Sequence, residues 1–126
     1  MPAPALNSVA WFEIGTDQPE GVKQFYGQLF DWSFQLNTNT PGVNYHAVVT
    51  PGAQQPTGGV WESEGNFPDY AVFYVLVQDV AATVERAEEL GGKVLMAPTT
   101  DAAGLTFARL EDSTGHNFGV FSAPAP

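Results

Sequence analysis

Apolar and polar positions along this chain change period several times, and each change marks an element. Residues 9–14 and 72–77 are runs rich in β-favouring side chains, which predicts strands. Between them, Val22, Phe25, Tyr26, Leu29 and Phe30 recur at i, i+3, i+4, i+7 and i+8, the spacing of one helical face. Thr16 and Asp17 offer acceptors for the free N–H groups at that helix's start, and Pro19 suits its first turn. A second helix is predicted after Asp79, with Val80, Val84, Ala87 and Leu90 as its apolar stripe and Glu85, Arg86, Glu88 and Glu89 facing water. Gly91-Gly92 ends it by supplying a residue free to turn left-handed. The remaining strands fall at about 33–36, 43–49, 57–61, 93–96, 105–110 and 117–121, with turn-forming clusters between them and a looser loop over 51–57.

These elements repeat. Tyr45 lies 62 residues before Phe107, and Gly59-Val60-Trp61 lies 60 residues before Gly119-Val120-Phe121. The order strand, helix, strand, strand, strand holds on both sides, giving one βαβββ unit over about 7–62 and another over about 70–122, with 123–126 as a tail. At 126 residues the chain reads as one domain, 1–126, large enough to fold without a staple.

A doubled βαβββ unit of this size resembles the vicinal oxygen chelate superfamily, which includes glyoxalase I, bleomycin-resistance proteins, extradiol dioxygenases and methylmalonyl-CoA epimerase. Residues 23–32, Lys-Gln-Phe-Tyr-Gly-Gln-Leu-Phe-Asp-Trp, are similar to the family's Phe-Tyr-x-x-Leu-(Phe/Leu)-Gly-(Phe/Trp) signature. Residues 110–117, Leu-Glu-Asp-Ser-Thr-Gly-His-Asn, are similar to its Asp-Pro-x-Gly-Asn turn, with Ser113 replacing the proline. The resemblance implies an α+β fold: two βαβββ repeats forming a curved eight-stranded mixed sheet, helices on the convex side, ligand on the concave side. Metal-using members carry His, Gln or Glu at four positions that here read Val9, Gly59, Val72 and Gly119. None of these four side chains can ligate a divalent ion, so no metal and no cofactor is expected.

If Val9 faces the concave side as the resemblance implies, alternation sends Trp11 and Glu13 there too, and Phe12 and Ile14 beneath the helix. The same parity places Val72, Tyr74 and Leu76 on the ligand side and Phe73, Val75 and Val77 beneath the helix. Gly59 and Trp61, then Gly119 and Phe121, complete the set, and Val120 joins the core. The expected ligand-binding residues are thus Trp11, Glu13, Trp61, Tyr74 and Phe121. The two glycines would leave room for something flat. Four aromatics with one carboxylate suit a planar, amine-bearing or cationic molecule. They equally suit a buried core or a dimer interface. Glu13 is costly to bury unpaired, and it is open to a partner such as Arg109, a rim position or a ligand.

Four Lys and Arg against fourteen Asp and Glu give a net charge of −10, which excludes a nucleic-acid binder working through phosphates and argues against an anionic membrane surface. The absence of cysteine removes disulfides, thiolate metal sites and thiol nucleophiles. With no signal-peptide pattern at residues 1–7 and no apolar run near 20 residues, the expected compartment is the cytoplasm. His116, Ser113 and Thr114 read as turn residues. Glu62 and Glu64 lead into a loop, and Gly58-Gly59 is too short for a phosphate cradle. The favoured reading is a bleomycin-resistance-like protein that binds a small molecule and, by resemblance, forms a homodimer. The alternative is a glyoxalase-like lyase, isomerase or dioxygenase with a relocated site built from Glu13, His46 and Glu62. A third is a degenerate domain with a structural role.

Overall fold

A computed structural model describes residues 4–37, 44–63 and 69–124. The chain runs through β1 (Val9–Thr16), α1 (Pro19–Phe30), β2 (Ser33–Asn37), β3 (Tyr45–Val49), β4 (Gly58–Glu62), β5 (Tyr70–Leu76), α2 (Val80–Glu89), β6 (Lys93–Thr100), β7 (Thr106–Glu111) and β8 (Asn117–Ser122). This is the expected α+β fold, βαβββ twice over. Two compact units form, one of residues 11–71 and the other of residues 1–10 with 72–126. No helix among the described residues is long and apolar enough to cross a membrane. Val43 and Glu64, assigned above to a strand and a loop, lie outside the described residues, as does the end of the tail.

In the 11–71 unit the strand order is β2-β3-β4-β1. β2 and β4 each run antiparallel to β3, while β1 runs parallel to β4. The other unit repeats the plan with order β5-β8-β7-β6, in which β5 is parallel to β8 and the two hairpins are antiparallel. In both cases a helix carries the chain from the first strand towards the hairpin that ends beside it, as a parallel pairing requires.

α2 forms as its sequence dictates. The Asp79 carboxylate accepts from Ala82 N–H at 3.0 Å, and Gly91 at φ +95° supplies the left-handed residue just past the end. Val80 and Val84 bury against Val77, Ala108, Leu110 and Val120, with Val75, Ala87, Val94 and Phe118 packed around them. Leu90, the last residue of the expected stripe, is instead 61% exposed, because the helix ends at Glu89 before that turn reaches the sheet.

α1 departs further from its apolar pattern. Its start is not capped by Asp17. Thr16 is buried in β1, and its Oγ1 accepts from Gln18 N–H at 2.9 Å. Tyr26 turns inward, stacked on Trp32 with centroids 5.1 Å apart, and Trp32 meets Phe12 at 5.5 Å. Phe25 and Leu29, expected on the same buried face, are 60% and 57% exposed. At 100° per residue the inward direction runs through Val22, Lys23, Tyr26 and Gly27, all half-buried, which leaves Phe25 and Leu29 on a flank. Phe73, assigned above to the core, is also half exposed and stacks only on the half-buried Phe118 among the ring contacts described.

Candidate functional site

Strand register decides which side chains share a face. β1 and β4 pair Glu13 with Gly59, β3 and β4 pair Ala47 with Gly59, and Tyr45 with Trp61. Trp11, Glu13, Tyr45, Gly59 and Trp61 therefore stand on one face of the 11–71 unit, while Phe12, Ile14, His46, Val48 and Val60 stand on the other, towards α1. The alternation read from the sequence places Trp11, Glu13 and Trp61 as expected relative to Phe12 and Ile14.

Two tyrosines complete that face, and neither was foreseen. The indole Nε1–H of Trp11 donates to the Tyr45 hydroxyl at 2.9 Å. Tyr70, at the start of β5, donates its hydroxyl to Glu13 Oε2 at 2.6 Å, and its ring lies against Gly15. Glu13 is only 9% exposed, so this hydrogen bond helps to offset the cost of taking a carboxylate out of water. The ring of Tyr45 lies so close over Gly59 that an added Cβ there would overlap it. The second unit repeats the device. Tyr74 pairs with Gly119 in register and covers it with its ring, and Tyr74 meets Phe121 edge-on at 6.3 Å. The space above the two glycines, expected to await a flat ligand, is filled by the protein's own rings. Only a residue without Cβ lets a tyrosine lie flat on the strand at these points.

His46 and Glu62 do not join Glu13. His46 points towards α1, where Lys23 Nζ donates to its Nε2 at 3.2 Å, and Lys23 is in turn paired with Glu20 at 2.8 Å. Glu62, two residues from Val60 and on the same side as His46, accepts from Asn44 Nδ2 at 2.6 Å. One-residue alternation is the whole reason. His46 is even where Tyr45 is odd, so the relocated constellation is split between the two faces of one sheet.

Burial and the neighbouring Lys23 charge push the His46 pKa below its usual 6.5, with Glu20 opposing. Below pH 6.5 the unfolded chain then binds more protons than the folded one, so stability falls as pH drops through that value and levels off above it. Urea unfolding between about pH 5 and 8 should show this slope. His46→Gln, which keeps an acceptor for Lys23, should flatten it. An unchanged slope would show that another group sets the acid limb.

His116 sits in a turn, as expected. Asp112 Oδ1 accepts from the backbone N–H of Thr114 and of His116, and Gly115 takes φ +98°. These bonds hold the Asp112 carboxyl down to about 2. The turn is a local Asp-anchored loop with no opening for chemistry.

The sequence profile of the Glyoxalase/Bleomycin resistance protein/Dioxygenase superfamily matches residues 8–120. The chain belongs to this superfamily. It is 32% identical over 124 residues to a glyoxylase-like domain-containing protein of Didymella fabae, covering 92% of this chain and 94% of that one. It is 27% identical over 133 residues to the anthracycline biosynthesis protein DnrV of Streptomyces peucetius, covering 93% and 47%. The chain spans about half the length of the Mycobacterium and Streptomyces relatives it matches, 44% and 47%. Among solved structures, a methylmalonyl-CoA epimerase superposes with a TM-score of 0.67 at 13% identity, covering 98% of this chain and all of that one, a likeness of fold.

Proposed function

We propose that this member of the superfamily binds a planar, amine-bearing or cationic small molecule, without a metal, as a cytoplasmic homodimer. The observation that carries this reading is Glu13. It is a buried carboxylate on the same strand face as Trp11, Tyr45 and Trp61, where a flat cation gains both stacking and a counter-charge. Tyr74 and Phe121 are the equivalent aromatic pair of the second unit. The name of the Streptomyces relative supports a polycyclic, planar ligand class, since an anthracycline is a fused-ring system.

A divalent metal does not fit the positions where the family resemblance would put its ligands. Val9 is 63% exposed and apolar, Val72 is apolar, and at Gly59 and Gly119 tyrosine rings occupy the space that a ligating side chain would need. Among the described residues no three His, Asp or Glu side chains gather as a metal-binding group. The expected result of elemental analysis on dialysed protein is therefore no stoichiometric Zn, Ni, Fe or Mn. About one equivalent per chain would overturn the metal-free reading.

The second reading is a glyoxalase-like lyase or isomerase, or a dioxygenase, favoured by the name of the Didymella relative. With His46 and Glu62 on the far face, such chemistry would rest on Glu13 with Tyr70 as its hydrogen-bond partner. Fluorescence titration of the tryptophans with cationic, neutral and anionic flat aromatics tests the binding reading. Quenching that favours cations supports it, and tighter binding of anions would overturn it.

A further inference from the structure

Among the described residues, α1 carries the densest group of large apolar side chains left in water. Phe25 is 60% exposed, Leu29 57% and Phe30 50%, all within six residues of one helix. The exposed aliphatic residues elsewhere, such as Leu36 on β2 and Leu95 on β6, stand far apart along the chain. Phe25 is not loose: its ring packs edge-on against Tyr26 at 5.2 Å, and Tyr26 is fixed by its stack on Trp32. The flank is therefore preorganised, and ordering it on association costs little side-chain entropy. Apolar groups gathered in this way mark an interaction surface.

Charge indicates what covers it. Residues 24–30 include no charged side chain, and Gln24 and Gln28 supply a neutral polar border. α2 is the opposite case, with Glu85, Arg86, Glu88 and Glu89 all exposed. Two copies of a chain with net charge −10 repel each other at a distance, so they meet most cheaply through a surface free of carboxylates. Size agrees with a second copy. The Mycobacterium and Streptomyces relatives contain about as much chain again beyond the matched part, and a second copy of this chain is a partner of that size.

We propose that the Phe25, Leu29 and Phe30 flank of α1 is the surface through which two copies of this chain pair. The inference rests on the homodimer reading above and names its interface. A twofold axis across the flank sets α1 against its own copy, so that each Phe25 meets the partner's Leu29 in a self-complementary contact. The two phenylalanines and the leucine form the centre, and the glutamines form the rim.

Sedimentation of the 126-residue chain across the micromolar range tests this. The wild type should sediment as a dimer. Phe25→Glu and Leu29→Glu should each weaken association at least a hundredfold and leave the far-UV circular dichroism unchanged, because both side chains are mostly in water within one copy. Leu36→Glu, at a position 62% exposed on β2, should leave the dimer intact. The chain has no cysteine, so Gln28→Cys gives an independent measurement: under mild oxidation it should form a covalent dimer across the axis. A wild-type dimer that survives both glutamate substitutions, or that does not cross-link through Gln28→Cys, overturns this interface while leaving the homodimer reading standing. A wild type that stays monomeric overturns both.

Discussion

Leu110→Ala is expected to cost about 2–5 kcal/mol of unfolding free energy, whereas Phe73→Ala costs about 1 kcal/mol. The two residues lie on neighbouring stretches of the same pattern, and both read as core in the sequence. Leu110 has no exposed surface and sits at the centre of the cluster that also holds Val77, Val80, Val84, Ala108 and Val120. Truncating it leaves a cavity that β7, hydrogen-bonded on both sides, cannot collapse to fill. Phe73 is 47% exposed and stacks on Phe118 at 6.0 Å, so its removal uncovers one ring face and opens no cavity. Urea unfolding of both variants, followed by far-UV circular dichroism, measures the difference. Equal costs would show that β5 is covered where Phe73 stands in water here.

The same contrast shows what the sequence carries and what it lacks. Strand parity is a strictly local property with a period of two. For that reason Glu13 and Trp11 could be separated from Phe12 and Ile14 without any structure, and the sequence placed Trp61 with them. The fold class was legible too, because a doubled βαβββ order leaves few ways to pair the strands. The apolar side of α1 was read less well. Five apolar residues at helical spacing span an arc wider than the sheet covers, and only packing decides which edge of that arc goes in. Lys23 is the tell. A charged residue took an inward position because His46 and Glu20 were there to meet its ammonium group.

The site was harder still, because its geometry depends on register between strands that are far apart in sequence. Tyr45 covers Gly59 only because β3 pairs with β4 in one particular register, fixed by the turn between them. The repeat did contain a hint, since Tyr45 and Gly59 sit at matching offsets from Phe107 and Gly119. In the second unit, however, the covering ring comes from Tyr74 on β5, not from Phe107 on β7. The two halves reach the same end by different strands, so copying one onto the other would have placed the wrong ring. The partnership of Tyr70 with Glu13 spans 57 residues and has no local signature at all.

Glu13→Gln should weaken binding of flat aromatic cations by about 10–100-fold, the range expected when one charged hydrogen bond of about 1.5–3 kcal/mol is lost. Neutral aromatics of the same shape should bind the variant as they bind the wild type. The substitution keeps the side-chain length and leaves an amide oxygen to accept from Tyr70, so the face should keep its form while losing its charge. Trp61→Ala removes stacking surface instead and should weaken cations and neutral compounds alike. Fluorescence can separate these outcomes. Trp11 and Trp61 belong to the face that carries Glu13, whereas Trp32 is enclosed by Phe12, Tyr26 and Phe30 on the α1 side and reports little of a ligand. Adding salt should weaken the cation preference of the wild type only modestly, because Glu13 is buried and a buried charge is screened less than one in water. If Glu13→Gln binds cations as well as the wild type does, the carboxylate belongs to the fold through Tyr70 and takes no part in recognition. The aromatic face would then have to select its ligand by shape alone.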